Sequence, residues 1–305
     1  MSDSIDSSVE QADDTIIESC LEINELDAIE ARAGFNGLLK DAPKNVSTSI
    51  VNGLSQQLIY QIDLIVPDAL VSFDDLDVDL ADAAFPFLQP PAKQALQKAI
   101  QSRGIKLVVN SAYRTIAQQM LLYNWRGSNS NPVAKPGSSN HQSGLALDIN
   151  DRQGWLPFLK PYGWQPLAGD PPHIDYKGQG FKDLRKQTIL AFQKLWNKNN
   201  PNEKIGEDGI YAAGGQTEKA LNRSPSTGFA HAPWDDRPRV LRLCRPTMEG
   251  SDVKKLQEYF KNAGMAVSVD GVFGPGTDKA VKEFQQKNNL VGDGIVGDKT
   301  RKLIA

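Results

Sequence analysis

The sequence predicts an α+β domain built on a small, mainly antiparallel sheet, followed by all-α modules of short helices. Three observations predict it. Residues 144–150 alternate, with Leu145, Leu147 and Ile149 on one face and Gly144, Ala146 and Asp148 on the other. That is the period of a strand with one buried face. Pro91 opens a helical segment running to about Ser102, since proline suits the first helical position. Near the C-terminus the pattern Asp-Gly-x-x-Gly-x-x-Thr recurs, and repeated short units that cannot bury a core alone must pack together.

Taken in order, residues 1–65 form an acidic segment without assigned chemistry, which could regulate, inhibit or deliver the domain after it. Ile16, Cys20, Ile23 and Leu26 sit at helical spacing, so 15–32 is expected to form an acidic amphipathic helix. Residues 66–182 carry the α+β domain. After the Pro91 helix come a strand at Lys106–Asn110, a turn at Ser111–Thr115, and a helix marked by Ile116, Met120 and Tyr123. Strands at Leu145–Asn150 and His173–Tyr176 complete the sheet.

The repeat then takes over. Two copies are Asp270-Gly-Val-Phe-Gly274-Pro-Gly-Thr277 and Asp293-Gly-Ile-Val-Gly297-Asp-Lys-Thr300. A third, with two residues inserted, is Asp208-Gly-Ile-Tyr-Ala-Ala-Gly214-Gly-Gln-Thr217. Each Thr is expected to N-cap a helix, at Asp278–Lys287, Arg301–Ala305 and Glu218–Asn222. Val253, Leu256 and Phe260 make the apolar stripe of a further helix starting near Ser251. Residues 240–305 thus read as one complete module and 183–223 as a partial copy. A linker at 224–239, beginning Ser224-Pro-Ser-Thr-Gly228, separates them.

Composition narrows the function classes. The 305 residues allow two or three domains, and a formal charge of −3 with no Lys/Arg cluster leaves no nucleic-acid footprint. No apolar run is long enough to span a membrane. Residues before Arg32 contain no Lys or Arg, so no secretory signal is expected, and the protein is expected to stay cytoplasmic until released or exported by a non-standard route. Cys20 and Cys244 are far apart and read as free thiols. A monomer is the expected state.

The chemistry is concentrated in one stretch. Two of the chain's three histidines lie in Ser139-Asn-His141-Gln-Ser-Gly144-Leu-Ala-Leu-Asp148 and Asp170-Pro-Pro-His173. An open catalytic zinc site takes three N/O ligands and keeps one position free; His141, Asp148 and His173 supply three. His141 has the wrong parity for the face bearing Asp148, so a turn or bulge must re-aim it. Gly144 and Ala146 are expected to leave space beside the metal for a substrate backbone. His173 and Asp175 share a face, with Ile174 on the other. Asp170, three residues before the last ligand, is placed to act as a base without binding the metal. His231 has no partner pattern and reads as a loop residue.

The Ser139–Asp148 stretch resembles the Ser-x-His-x-x-Gly-x-Ala-x-Asp motif of the D-alanyl-D-alanine carboxypeptidase and dipeptidase family of zinc peptidases. Asp170-Pro-Pro-His173 resembles that family's acid-x-x-His element, in the form found in its L-alanyl-D-glutamate endopeptidase branch. Ser111-Ala-Tyr-Arg114-Thr resembles its Ser-Gly-Tyr-Arg turn, with alanine replacing glycine. Residues 240–305, through Asp252-Val-Lys-Lys-Leu-Gln257, Phe284-Gln285 and the two glycine turns, resemble the peptidoglycan-binding module of three short helices. Residues 185–222 contain only the later part of that pattern, from Phe192-Gln193 to Thr217.

The resemblance implies one Zn2+ per chain that polarises the scissile carbonyl and activates water. It implies Asp170 as general base, Arg114 as donor to a substrate carboxylate or developing oxyanion, and Ser139, Tyr113 and Gln118 as substrate-binding residues. The implied activity is a peptidoglycan peptidase cutting a D-amino-acid-containing stem-peptide bond, as L-Ala-D-Glu-type endopeptidase or D-Ala-D-Ala carboxypeptidase. The opposing reading is a non-catalytic wall-binding scaffold that retains a metal site. Non-haem iron oxygenases also use two histidines and a carboxylate, but with the acid two residues after the first histidine, and they would leave Asp170 without a task.

Overall fold

The chain is described here from a computed structural model, over residues 35–44, 46–127 and 133–304. The helix expected at 15–32, with Cys20, lies outside the described residues. The polypeptide from Gly37 onward forms one compact unit.

Among the described residues α1 (Asn52–Ile65) is the first α-helix, and it is followed by the short strands β1 (Val71–Ser72), β2 (Val78–Leu80) and β3 (Phe87–Leu88). Helix α2 (Pro90–Arg103) begins with two prolines at its first turn and ends at Gly104 in the left-handed region, as a helix C-terminus favours. Its buried residues Ala92, Ala95, Leu96, Ala99 and Ile100 lie at helical spacing along one stripe. Strand β4 (Leu107–Ser111) leads to α3 (Ile116–Asn124), opened by a reciprocal capping box between Thr115 and Gln118.

Strand β5 (Ala146–Ile149), α4 (Arg152–Leu159), β6 (Trp164–Pro166) and β7 (His173–Tyr176) complete the sheet domain. The sheet order is β2-β4-β5-β7-β6, with β2 parallel to β4 and the other pairs antiparallel. One face buries Leu107, Val109, Leu147, Ile149, Trp164 and Ile174 against α2 and α4. On the other, register puts Asp148 directly opposite His173 and Ala146 opposite Asp175. A register shift between Val109 and Ser111 sets Ser111 opposite Asp148, as bulges do beside functional sites.

Helices α5 (Arg185–Asn199) and α6 (Gln216–Asn222) form the first repeat copy. They do not stand apart: Phe192, Leu195, Trp196 and Leu221 share a core with Leu54 and Leu58 of α1 and with Ile116 and Met120 of α3. The stretch expected as a linker is packed as well. Ser224 and Ser226 are fully buried, Leu54 donates its N–H to the Ser226 carbonyl at 3.3 Å, and Gln57 reaches the Phe229 carbonyl at 2.9 Å. Its apolar content explains this, since Trp234 buries itself edge-on to Tyr60 with Arg239 stacked 3.5 Å from its ring.

The last module comprises α7 (Ser251–Asn262), α8 (Pro275–Lys287) and α9 (Asp298–Arg301) around Val253, Phe260, Phe273, Val281 and Phe284. The threonines are not N-caps, as the sequence suggested; Gly215, Gly274 and Gly297 hold those positions. The helices therefore start two or three residues early, at Gln216, Pro275 and Asp298, and the third ends at Arg301. Thr217, Thr277 and Thr300 sit buried in the first turn, each accepting from a glutamine Nε2 at 3.0–3.1 Å. The same three glutamines, Gln193, Gln257 and Gln285, also donate to Asp208, Asp270 and Asp293 at 2.8 Å. Their Oε1 atoms accept the N–H of Gly209, Gly271 and Gly294. One network thus recurs three times, once in 185–222 and twice in the last module. Among the described residues no helix is long and apolar enough to cross a membrane.

Candidate metal centre

The turn that sequence parity demanded is a 3-10 segment, Asn140–Ser143, closed by Gly144 at φ 64°. It swings His141 onto the sheet face where Asp148 and His173 already stand side by side. The His141 Nε2 is 3.2 Å from His173 Nδ1 and 3.4 Å from Asp148 Oδ1, and the latter two atoms are 3.2 Å apart. A tetrahedral zinc with bonds of about 2.0–2.1 Å has ligand–ligand edges of about 3.3 Å. The three donor atoms therefore fit such an ion without rearrangement.

Each imidazole has its other nitrogen occupied. His141 Nδ1 lies 2.7 Å from the Ala112 carbonyl, and His173 Nε2 lies 2.9 Å from Asp175 Oδ1. In the neutral ring, such partners select the tautomer that leaves the inward nitrogen bare. Asp175 is held in turn by Asn140 Nδ2 at 2.8 Å and Lys177 at 3.2 Å. Arg114 donates to Asp148 Oδ2 at 3.2 Å, to Ser111 Oγ at 3.0 Å and to Gln119 Oε1 at 3.1 Å.

Titration follows from these contacts. Burial, then the neighbouring Arg114 charge, lowers His141 from its usual range, so it stays neutral as a ligand must. Burial also acts to lower His173, but its hydrogen bonds with Asp148 and Asp175 outweigh this and push it up to about 9. For Asp148 burial acts upward, but its contacts with His141, His173 and Arg114 outweigh this and hold the carboxyl far below its usual range.

The three donors open onto a cleft of about 650 Å3, which Arg114, Gln119, Ser139, Asn140, Asp170 and Asp175 help to line. Ser139 and Asp170 thus both line the cleft, and Asp170 stands outside the three-atom cluster. Tyr113 and Gln118 are not. Tyr113 is buried beside Phe85, and burial raises its hydroxyl pKa. Gln118 caps α3 and donates to the Ala83 carbonyl at 3.0 Å. The next residue, Gln119, faces the cleft instead, because successive helical positions point about 100° apart. Nor do Gly144 and Ala146 leave room for substrate. A Cβ on Gly144 would lie 2.6 Å from Leu70, and Ala146 is fully buried. Asp175, which the motifs do not include, backs His173 from the same face of β7. An acid two residues from a strand ligand was its one signal.

Residues 89–159 match a family model of D-alanyl-D-alanine carboxypeptidase, and residues 249–304 match a peptidoglycan binding domain. The first match spans Arg114, His141 and Asp148 but ends before Asp170 and His173, of which His173 meets Asp148 through β5–β7 pairing. The N-acetylmuramoyl-L-alanine amidase CwlL of Bacillus licheniformis is 33% identical over 132 residues, 38% of this chain and 34% of that protein. A spore cortex-lytic enzyme of Bacillus cereus is 45% identical over 56 residues, 18% of this chain and 22% of that one. The chain thus spans about a third or less of these curated relatives. A vancomycin-resistance D,D-pentapeptidase, VanY, solved with Zn(II), is 24% identical with a TM-score of 0.26, covering 41% of this chain and 85% of that one.

Proposed function

We propose that this chain, which joins a segment of the D-alanyl-D-alanine carboxypeptidase family to a peptidoglycan binding domain, is a zinc-dependent peptidoglycan peptidase. It hydrolyses a stem-peptide bond that includes a D-amino acid. The observation that carries this reading is the triangle of donor atoms, 3.2–3.4 Å on each edge, at the floor of a polar cleft that Asp170 lines.

His141, Asp148 and His173 would hold the ion, which when bound supplies Lewis acidity toward a carbonyl and a reactive water at neutral pH. Asp170 takes a proton from the attacking water and returns it to the leaving amine. Arg114 presents its guanidinium beside Asp148, where it orients that ligand and offers donors to the developing oxyanion. Ser139 contacts the substrate backbone from the rim. The 240–305 module keeps the enzyme on its polymer, raising the effective concentration of wall peptide.

L-Ala-D-Glu-type endopeptidase cleavage is the favoured form. A terminal carboxylate calls for a cation, and the arginine among the described cleft residues, Arg114, already has its charge paired with Asp148, so that its remaining N–H groups serve the oxyanion rather than a second carboxylate. An internal amide needs none. The scaffold reading is disfavoured because a structural zinc has no use for Asp170.

The test is to incubate the zinc-loaded protein with purified peptidoglycan and read the new termini by mass spectrometry. New internal termini support endopeptidase action, released D-alanine supports carboxypeptidase action, and no product sinks both. Asp170→Asn should retain zinc and lose about 10²–10⁴-fold in rate. His141→Ala and His173→Ala should each lose the metal itself.

A further inference from the structure

Arg152 enters neither the ligand set nor the base assignment, yet it reaches the loop that carries both Asp170 and His173. Four residues after Asp148, it opens α4. The residue before it, Asp151, adopts φ 47° and ψ 42°, in the left-handed region where non-glycine residues are uncommon. Two contacts hold Asp151 there, the Gly154 N–H and Arg103 Nη2 at 2.6 Å.

Beyond that turn, a single nitrogen of Arg152, Nη1, lies 3.2 Å from the Leu167 carbonyl, 2.9 Å from the Asp170 carbonyl and 3.2 Å from the His173 carbonyl. These oxygens mark the start, middle and end of the 167–173 loop between β6 and β7. Pro171 and Pro172 lack N–H groups, so the loop is short of internal donors. Its backbone bonds, Leu167 N–H to His173 O at 3.3 Å and His173 N–H to Asp170 O at 3.2 Å, use two of the same oxygens. The guanidinium gathers three carbonyl dipoles at one point and ties the loop to the segment that bears Asp148.

We propose that Arg152 is a positioning residue that sets Asp170 relative to the His141–Asp148–His173 triangle. The inference rests on the reading of Asp170 as general base. His173 has other supports, through Asp175 and through the Ile149 N–H on the Pro172 carbonyl at 3.0 Å. Asp170 depends on the loop conformation itself. Loss of Arg152 should therefore move the base more than the ligand.

The test is a double-mutant cycle of Arg152→Ala and Asp170→Asn, assayed on soluble muropeptides prepared from purified peptidoglycan, with zinc content measured for every protein. Arg152→Ala should keep one zinc, leave KM within about twofold and lower kcat by about 10–100-fold, the cost of a misplaced catalytic group. In the Asp170→Asn background the same change should cost nothing further, because the group through which Arg152 acts has gone. Arg152→Lys should recover part of kcat by restoring a cationic donor. If Arg152→Ala melts early, Arg152→Gln carries the same cycle. Wild-type kcat, an equal loss in both backgrounds, or a loss that follows zinc content would each overturn the proposal. Wild-type activity in Asp170→Asn would instead remove the base assignment, whatever Arg152 does.

Discussion

His173 Nε2 and Asp175 Oδ1 stand 2.9 Å apart on one face of β7, and their contact decides which imidazole nitrogen meets Asp148. Residues two apart on a strand share a face, so the ligand and its partner are adjacent by construction. Ala146, opposite Asp175 in the register, is small enough to leave that carboxylate its place.

Replacing Asp175 by Asn should therefore weaken zinc without unfolding the sheet. The amide is no longer an anionic acceptor for Nε2–H, and loss of such a partner typically costs 10–100-fold in metal affinity. Competition against a chelator of known affinity measures it. An unchanged dissociation constant would mean that Asp175 does not orient His173.

Zinc binding should release a proton. With His173 pushed up to about 9 in the metal-free protein, its inward nitrogen is protonated at neutral pH and must be stripped before it can ligate. The sign follows: apparent affinity rises with pH up to about 9 and flattens above it. Below that point it falls about tenfold per pH unit. Titration calorimetry in two buffers of different ionisation enthalpy reads the released proton at pH 7. Buffer-independent heats would contradict the linkage.

Gln257 should be a stability determinant of the last module. Its amide donates to Asp270, Val272 and Thr277 and accepts from the Asp270 and Gly271 N–H groups. Gln257→Ala takes this partner from the buried Thr277 hydroxyl and the buried Gly271 N–H, at about 1–3 kcal/mol for a buried group left unsatisfied. Denaturant unfolding should show the loss, while rates on short soluble peptides stay at wild-type level.

Removing residues 240–305 should spare hydrolysis of soluble peptides and weaken action on insoluble wall. It should also lower the melting temperature of the remaining chain. Gln56 of α1 donates to the Thr247 carbonyl at 2.7 Å and accepts the Glu249 N–H at 2.8 Å, and both contacts go with the module. An unchanged melting point would mean that this junction adds nothing to the stability of the catalytic region.

The sequence by itself determined the strand pattern of 145–149, the turn that His141 requires, the candidate metal-binding trio and the repeat. All rest on short-range periodicity or on residue types whose chemistry is distinctive. Only the tertiary structure decided the rest, because it depends on pairing between distant segments. Strand register set Asp148 opposite His173, while the packing of Leu70 on Gly144 and the burial of Ala146 closed the space expected beside the metal. Which glutamine of α3 faces the cleft depends on how that helix docks, which its capping box does not reveal. The stretch at 224–239 reads as a linker by composition, yet α1 supplies the partners that order it. Local sequence specifies what a segment offers; burial and hydrogen-bond satisfaction across the whole chain select where it is used.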